Sequence, residues 1–281
     1  MPRRSNPTAR QERLGAELRK LRERAGIAAG EAARAVGMKQ SDLSHLEAGR
    51  QAVSGERVRA LAAHYGVMDT ALVDALAAMT GRQKRGWWES CRGVLVPALL
   101  DGAELEHHAH SLREFQVVHI PGLLQTEAYM RALFTYAGAK PDHLDSLVDF
   151  RMRRRDVLGK PSGPEYTAVI HEAALRMIVG DRRIARDQLT YILERAEEPG
   201  ITVRVVPFAV EGFAGMGDSM LYAEGPVPQL DTAHIDQVHG SVFLDSEADL
   251  ARYRVRWALV ERLALSIEQS RDAIQRMGRE L

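Results

Sequence analysis

Between residues 8 and 25 apolar side chains recur at Leu14, Leu18, Leu21 and Ala25, one stripe of a 3.6-residue period, which predicts a helix from about Thr8. Two shorter helical patterns follow in the stretch Gly26 to Gly49 (GIAAGEAARAVGMKQSDLSHLEAG). The first is carried by Ile27, Ala32, Ala33 and Val36, the second by Leu43 and Leu46, and Gly37 lies between them. Glycine suits the positive-φ residue that ends one helix and turns the chain sharply into the next. Leu43 and Leu46, three apart, face inward, which leaves Gln40, Ser41, Ser44 and His45 on the outer surface near the helix start. A loop at Gln51–Ser54, a helix with Val58, Leu61 and Ala62 inward, and a helix across Asp69–Met79 complete a five-helix reading of the first 80 residues.

Beyond the charged hinge at residues 81–86 (GRQKRG) the pattern becomes mixed. Val94–Leu100 and Ala103–Ser111 read as helices, and Arg113–Ile120 alternates as a strand. After the Pro121-Gly122 turn a helix runs from Thr126, its N-cap, to about Ala137, and another covers Asp142–Leu158. Tyr166–His171 reads as a strand, Asp181–Glu197 as a helix begun by Asp181, and Ile201–Pro207 as a half-buried strand. Strands at Ser219–Tyr222, Asp231–Asp236 and Val242–Leu244 precede terminal helices at Ser246–Leu265 and Ser270–Leu281. The expected architecture is multidomain, α and α+β. A five-helix domain spans 1–80 (1–9 a mobile arm), a linker 81–86, and a larger mixed α+β domain 87–281.

Charge changes the picture by its distribution. The chain is balanced at 38 Lys/Arg against 38 Asp/Glu, yet residues 1–80 hold 13 against 9, and the first 24 residues alone hold 8 against 3. A basic front end supplies phosphate contacts whose strength falls with salt. Arg3 and Arg4 would add contacts from the arm. The single cysteine, Cys91, excludes an internal disulfide and argues against a zinc–thiolate site. The N-terminus has no apolar signal core, and no apolar run is long enough to span a bilayer, so a cytoplasmic protein is expected.

Short polar side chains at the exposed start of a second helix are what a helix needs to reach base edges in a major groove. The DNA-reading candidates are therefore Gln40, Ser41, Ser44 and His45, with Lys39 holding a phosphate and Asp42 on or near the same face. Elsewhere the residues leave alternatives open. Trp87-Trp88 fits packing or a ligand. Pro121–Thr126, with Gln125, fits a turn into a helix cap or the lining of a pocket. The basic face Arg151, Arg153, Arg154, Arg155 fits an acidic partner or phosphate as well as a solvated helix face. His107 and His110, i,i+3 on one expected helix, fit a metal pair or a solvated helix end. His119, His171, His234 and His239 are scattered and read as structural. Residues 212–217 (GFAGMG) match neither a phosphate loop nor a dinucleotide fingerprint. There is no nucleophile elbow and no convergent acid–base pair, so no catalytic residue, metal or cofactor is expected.

Gly26, Ile27, Ala33, Gly37, Met38, Leu43, Ser44, Leu46, Glu47 and Gly49 fall in register on the helix-turn-helix of the repressor/Cro-like (XRE family) regulators, which this segment resembles. The resemblance implies Arg50 as a phosphate contact and an ion pair between Arg22 and Glu47. It also implies a homodimer on an operator. Three positions depart from the pattern. Ala28 replaces the N-cap hydroxyl, Ala29 a glutamine that touches DNA in relatives, and Lys39 the usual Ser or Thr before the recognition helix.

The second domain carries its own ordered set: the tryptophan pair, Ile120-Pro-Gly-Leu-Leu-Gln-Thr126 with Tyr129, and Arg151 with Arg154-Arg155. Then come His171-Glu-Ala-Ala-Leu175, Gln188-Leu189, Val205-Val206-Pro207-Phe208 and Arg252-Tyr253. Together they resemble the C-terminal domain of antitoxin-like regulators. That resemblance implies a non-enzymatic DNA-binding regulator whose C-terminal domain engages a small protein partner encoded nearby. A small-molecule sensor with an apolar pocket in that domain is the alternative.

Overall fold

The computed structural model describes residues 7–80, 86–213, 218–237 and 240–281. The arm residues Arg3 and Arg4, most of the 81–86 linker, 214–217 and His239 lie outside the described residues. The chain divides into two compact units, Met1–Arg92 with Leu99–Glu104, and Gly93–Ala98 with Leu105–Leu281. Trp87–Arg92 thus fall in the first unit, where the sequence reading began the second domain at 87.

The first unit is helical: α1 Ala9–Arg24, α2 Ala29–Ala35, α3 Gln40–Glu47, α4 Gly55–His64 and α5 Thr70–Ala78. Thr8 and Gln11 cap α1 reciprocally, and Ser54 and Asp69 cap α4 and α5. The expected inward positions Leu14, Leu18, Leu21, Leu43, Leu46, Val58, Leu61 and Ala62 are buried. Ala25 is exposed, because α1 stops at Arg24 and Ala25, its C-cap, falls off the stripe. Ala28 and Lys39 supply no side-chain cap to α2 and α3, each forgoing about 1 kcal/mol. Burial of Leu43 and Leu46 offsets the missing cap of α3.

The second unit is built on a six-stranded sheet of order β3-β2-β1-β4-β5-β6. Strands β1 (Ser111–Gln116), β2 (Glu165–His171) and β3 (Ile201–Val206) are parallel, while β4 (Met220–Glu224), β5 (Thr232–Gln237) and β6 (Gly240–Leu244) run antiparallel to their neighbours. The α6 helix, Pro97–His108, precedes β1. Helices α7 (Glu127–Tyr136) and α8 (Pro141–Arg155) connect β1 to β2, and α9 (Glu172–Arg176) and α10 (Arg182–Arg195) connect β2 to β3. Helices α11 (Glu247–Leu263) and α12 (Ile267–Glu280) close the chain.

Side chains alternate across the sheet. Leu112, Tyr166, Ile170, Val203, Val205 and Leu221 pack on one face with Tyr129, Leu189, Ile192 and Ile274. Phe115, Val169, Val206 and Met220 pack on the other against Trp257 and Val260 of α11. The β3 edge is closed by the α11–α12 connection: Val205 N–H donates to Ser270 Oγ at 3.0 Å, and the Val205 carbonyl accepts from Leu265 N–H at 2.9 Å.

Several expected boundaries change. Val94–Leu100 and Ala103–Ser111 are not two helices but one, begun by Pro97 at its first turn, and Ser111 already belongs to β1. Helix α12 starts at Ile267 and not Ser270, because Ser266 and Gln269 form a capping box and buried Ser270 serves the sheet edge. The short α9, which the sequence reading passes over, is capped by His171, whose Nδ1 accepts from Ala173 N–H at 3.1 Å.

Candidate nucleic-acid interface and the arginine network

The turn into α3 is closed by its own backbone. Met38 N–H donates to the Ala33 carbonyl at 2.8 Å, Gly37 N–H to Arg34 at 3.1 Å, and Gly37 takes φ 64°. This is the left-handed ending that a side chain would strain. Lys39, Gln40, Ser41 and Ser44 are exposed, Asp42 and His45 half-buried, and Arg50 exposed. The Ser44 hydroxyl donates back to the Gln40 carbonyl at 3.0 Å, so its lone pairs are what it can offer outward. A Cβ on Gly30 would lie 3.1 Å from Gln40 Oε1, so the Gln40 side chain rests over the first turn of α2.

Two features behind α3 fix its placement. The Arg22 guanidinium donates from Nε to Glu47 Oε1 at 2.6 Å and from Nη2 to Oε2 at 2.9 Å, and from Nη1 to the Ile27 carbonyl at 3.0 Å. Those hydrogen bonds raise the Arg22 pKa against its burial. Second, α1 crosses the end of α3 at Gly15, where an added Cβ would sit 2.5 Å from the Leu46 carbonyl oxygen and 2.6 Å from that of Glu47. Gly15 was not among the sequence candidates; a glycine interrupting an apolar helix stripe was the available signal.

Trp88 is buried, its ring edge-to-face with that of half-buried Trp87 at 6.0 Å and pressed against Gly86. The burial of Trp88 fits the packing alternative. The histidine pair dissolves as well: α6 ends at His108 and Ala109 is extended, so His107 and His110 share no helix face. Among the described residues no group of metal-ligating side chains is found, and no helix is long and apolar enough to cross a membrane.

In the second unit, the residues of the expected basic face divide. Arg153 is exposed, while Arg151, Arg154 and Arg155 turn inward. Arg154 forms a two-pronged pair with Glu106, Nε to Oε2 at 2.9 Å and Nη2 to Oε1. Burial pulls Arg154 down, but Glu106 more than offsets it and the guanidinium ends above its ordinary value. Arg155 donates to the Gln125 carbonyl at 2.9 Å and lies over the Tyr191 ring. Arg151 donates to Gln125 Oε1 at 3.3 Å and lies 4.9 Å from the centroid of Phe134. Gln125 is buried, its amide donating to the Ile120 carbonyl at 2.7 Å, and the Tyr129 hydroxyl accepts from Ile120 N–H. Gln188, also buried, donates to the Leu124 carbonyl and accepts from Thr126 N–H, both at 2.7 Å. Gln125, Tyr129, Arg151, Arg155 and Gln188 are thus one network that fastens the Pro121–Gln125 turn.

Beneath it lies an acid that sequence reasoning missed. Glu114 is buried in β1, accepting from Tyr166 Oη at 2.7 Å and from Gln116 Nε2 at 2.9 Å. Its signal was present: Leu112, Glu114 and Gln116 alternate on the inward face of a strand. Burial pushes the Glu114 carboxyl up and outweighs both hydrogen bonds. A raised acid contributes stability below its unfolded pKa, and that contribution is lost as pH rises through the folded value. Glu114→Gln, which cannot ionise, is therefore expected to gain stability relative to the native chain as pH climbs above the ordinary glutamate range. Urea unfolding at a series of pH values reads this, and a difference constant with pH contradicts it.

A helix-turn-helix domain model matches residues 13–76, and the model of a domain of unknown function (DUF5753) matches residues 99–276. No curated protein and no solved structure matches the chain.

Proposed function

The chain belongs to the family defined by the DUF5753 domain, here behind a helix-turn-helix domain, and from that premise we propose that it is a sequence-specific transcriptional regulator of the repressor/Cro-like type. One observation carries the reading. Gln40, Ser41 and Ser44 stand exposed on α3, backed by buried Leu43 and Leu46 and introduced by the Gly37 turn. Gln40, Ser41, Ser44 and His45 read base edges, Lys39 and Arg50 hold phosphates, and a homodimer sets two half-sites about 34 Å apart on an operator. Asp42, in the first turn of α3, is tolerated beside phosphates by the helix dipole or takes a base amino group. The C-terminal domain acts without catalysis, as antitoxin-like regulators do, by engaging a small protein partner in the cytoplasm.

The test is operator binding by Gln40→Ala combined with Ser44→Ala. Operator preference is expected to fall by roughly 1–3 kcal/mol per lost base contact, leaving salt-sensitive binding to any duplex. Equal loss on operator and scrambled DNA would remove these residues from base reading.

A second reading, control by a small molecule bound in the C-terminal domain, is favoured by one specific feature. Arg151 is a half-buried cation whose hydrogen bond, among the described residues, goes to a neutral amide, and its buried Nε has no partner there.

A further inference from the structure

We infer that β6, an outer strand of the sheet, is where two copies of this chain pair, edge to edge and antiparallel about a two-fold axis. The pairing rests on β6 alone, while its bearing on operator binding rests on the regulator reading above.

The two edges of the sheet are finished differently. At β3 the Val205 N–H and carbonyl are taken by Ser270 Oγ and Leu265 N–H, and the Arg204 guanidinium donates to the Leu265 and Ala264 carbonyls at 2.8 and 2.7 Å. At β6, Gly240–Leu244 pair with β5 on one side, and on the other side their backbone groups bond nothing among the described residues. Free edges are ordinarily protected by a lysine, a proline, a bulge or a covering element. The β6 strand, GSVFL, carries no charge and no proline, and it pairs with β5 without a break over five residues. Such a row of backbone donors and acceptors is complementary to another β-strand.

The register says which groups face outward. Gln237 and Gly240 pair across a connection of two residues, and in such a hairpin the closing pair carries ladder bonds. Bonded and non-bonded pairs alternate along an antiparallel ladder, so Val242 and Leu244 bond inward to Ile235 and Ala233. Ser241 and Phe243 therefore turn their N–H and carbonyl groups outward. A two-fold axis beside Val242 sets Ser241 against Phe243 of the partner subunit, and Phe243 against the partner's Ser241, each pair exchanging two backbone bonds.

A second copy is the occupant that this edge fits. On the axis Val242 meets its own counterpart, apolar on apolar, and no like charges are opposed because β6 has none. Phe243, stacked on His234 at 4.6 Å, lies on the same side of the sheet as Ser241, so a large side chain faces a small one across the seam. Because the β3 edge is closed, pairing at β6 stops at two copies and does not propagate.

Sedimentation equilibrium of the full chain over a concentration series tests the pairing. The native chain is expected at twice its sequence mass. Ser241→Pro removes an outward donor and leaves the ladder to β5 in place, so a monomer with native circular dichroism is expected. Ser241→Ala, which loses the hydroxyl bond to Asp236 but keeps the N–H, is expected to remain a dimer. Val242→Lys and Val242→Glu each oppose like charges on the axis, so each is expected to be monomeric alone and to dimerise when the two are mixed. A monomeric native chain overturns the proposal, and if Ser241→Pro then releases a co-purified small protein, the edge belongs to that partner. A dimer that survives Ser241→Pro and both Val242 changes lies on another surface and overturns it as well. If Ser241→Pro fails to fold, the charge-swapped mixture decides. Operator affinity is a separate readout: the monomeric variants are expected to lose roughly a hundredfold or more on a site with two half-sites, and nothing on a single half-site. A dimer without operator preference leaves the β6 pairing standing and removes the regulator reading.

Discussion

Glu47→Ala is expected to destabilise the helix-turn-helix unit by about 3–5 kcal/mol, the cost of stranding one partner of a buried ion pair. The side chains of Arg22 and Glu47 are 11% and 8% exposed, so water replaces the lost carboxylate poorly, and Glu23, 3.7 Å from Arg22 Nη2, offsets only part of the charge. The abandoned guanidinium would still be tied through Nη1 to the Ile27 carbonyl, at the loop into α2, so the strain falls on the joint between the two motif helices. Operator binding is lost along with it, although neither residue reaches a base. The double change Arg22→Met with Glu47→Leu is expected to recover most of the stability, because an apolar pair of similar volume needs no desolvation. Hydrogen exchange at the amides of α1 and α3 reads both. A single variant as protected as the native chain would reduce the pair to a surface contact worth less than about 1 kcal/mol.

Gly15→Ala carries the second large effect, and its sign is informative. In a free helix the change stabilises by about 0.5–1 kcal/mol, because glycine loses more backbone freedom than alanine. Here the new Cβ would lie 2.5 Å from a backbone oxygen of α3, which cannot swing aside as a side chain would, and overpacking costs of about 1–3 kcal/mol apply. Net destabilisation is expected, with weaker operator binding from a displaced recognition helix. Gly278→Ala in α12 is the internal control, since its Cβ meets nothing within 4 Å, and it is expected to be neutral or mildly stabilising. A higher melting temperature for Gly15→Ala would mean that α1 and α3 do not cross as closely as described.

Most elements were legible because short-range rules govern them. The stripe Leu14, Leu18, Leu21 and the caps Thr8, Asp69, Thr126, Asp181 and Ser246 each depend on residues within four positions. Where the reading slipped, a partner distant in sequence had intervened. The last helix was expected from Ser270, which is claimed by Val205 of β3, while the local capping box at Ser266 and Gln269 was legible but passed over. His107 and His110 looked like one face until Ala109 ended the helix. The Arg151–Arg155 run looked like a solvated or partner-facing surface, yet its partners Glu106 and Gln125 lie 48 and 26 residues away.

By itself the sequence determined most of the helices and strands, that a helix-turn-helix head precedes a mixed α+β domain, and that Gln40, Ser41 and Ser44 of α3 face outward. Periodicity, caps and glycine turns act within a few residues, and composition sets what can be buried. Only the tertiary structure decided that Gly15 is a backbone crossing and that Tyr129, Arg151, Arg155 and Gln188, from three different helices, fasten the single turn at Pro121–Gln125. Those facts depend on which distant residues share a volume, and a pattern along one dimension does not encode that meeting until the chain has packed.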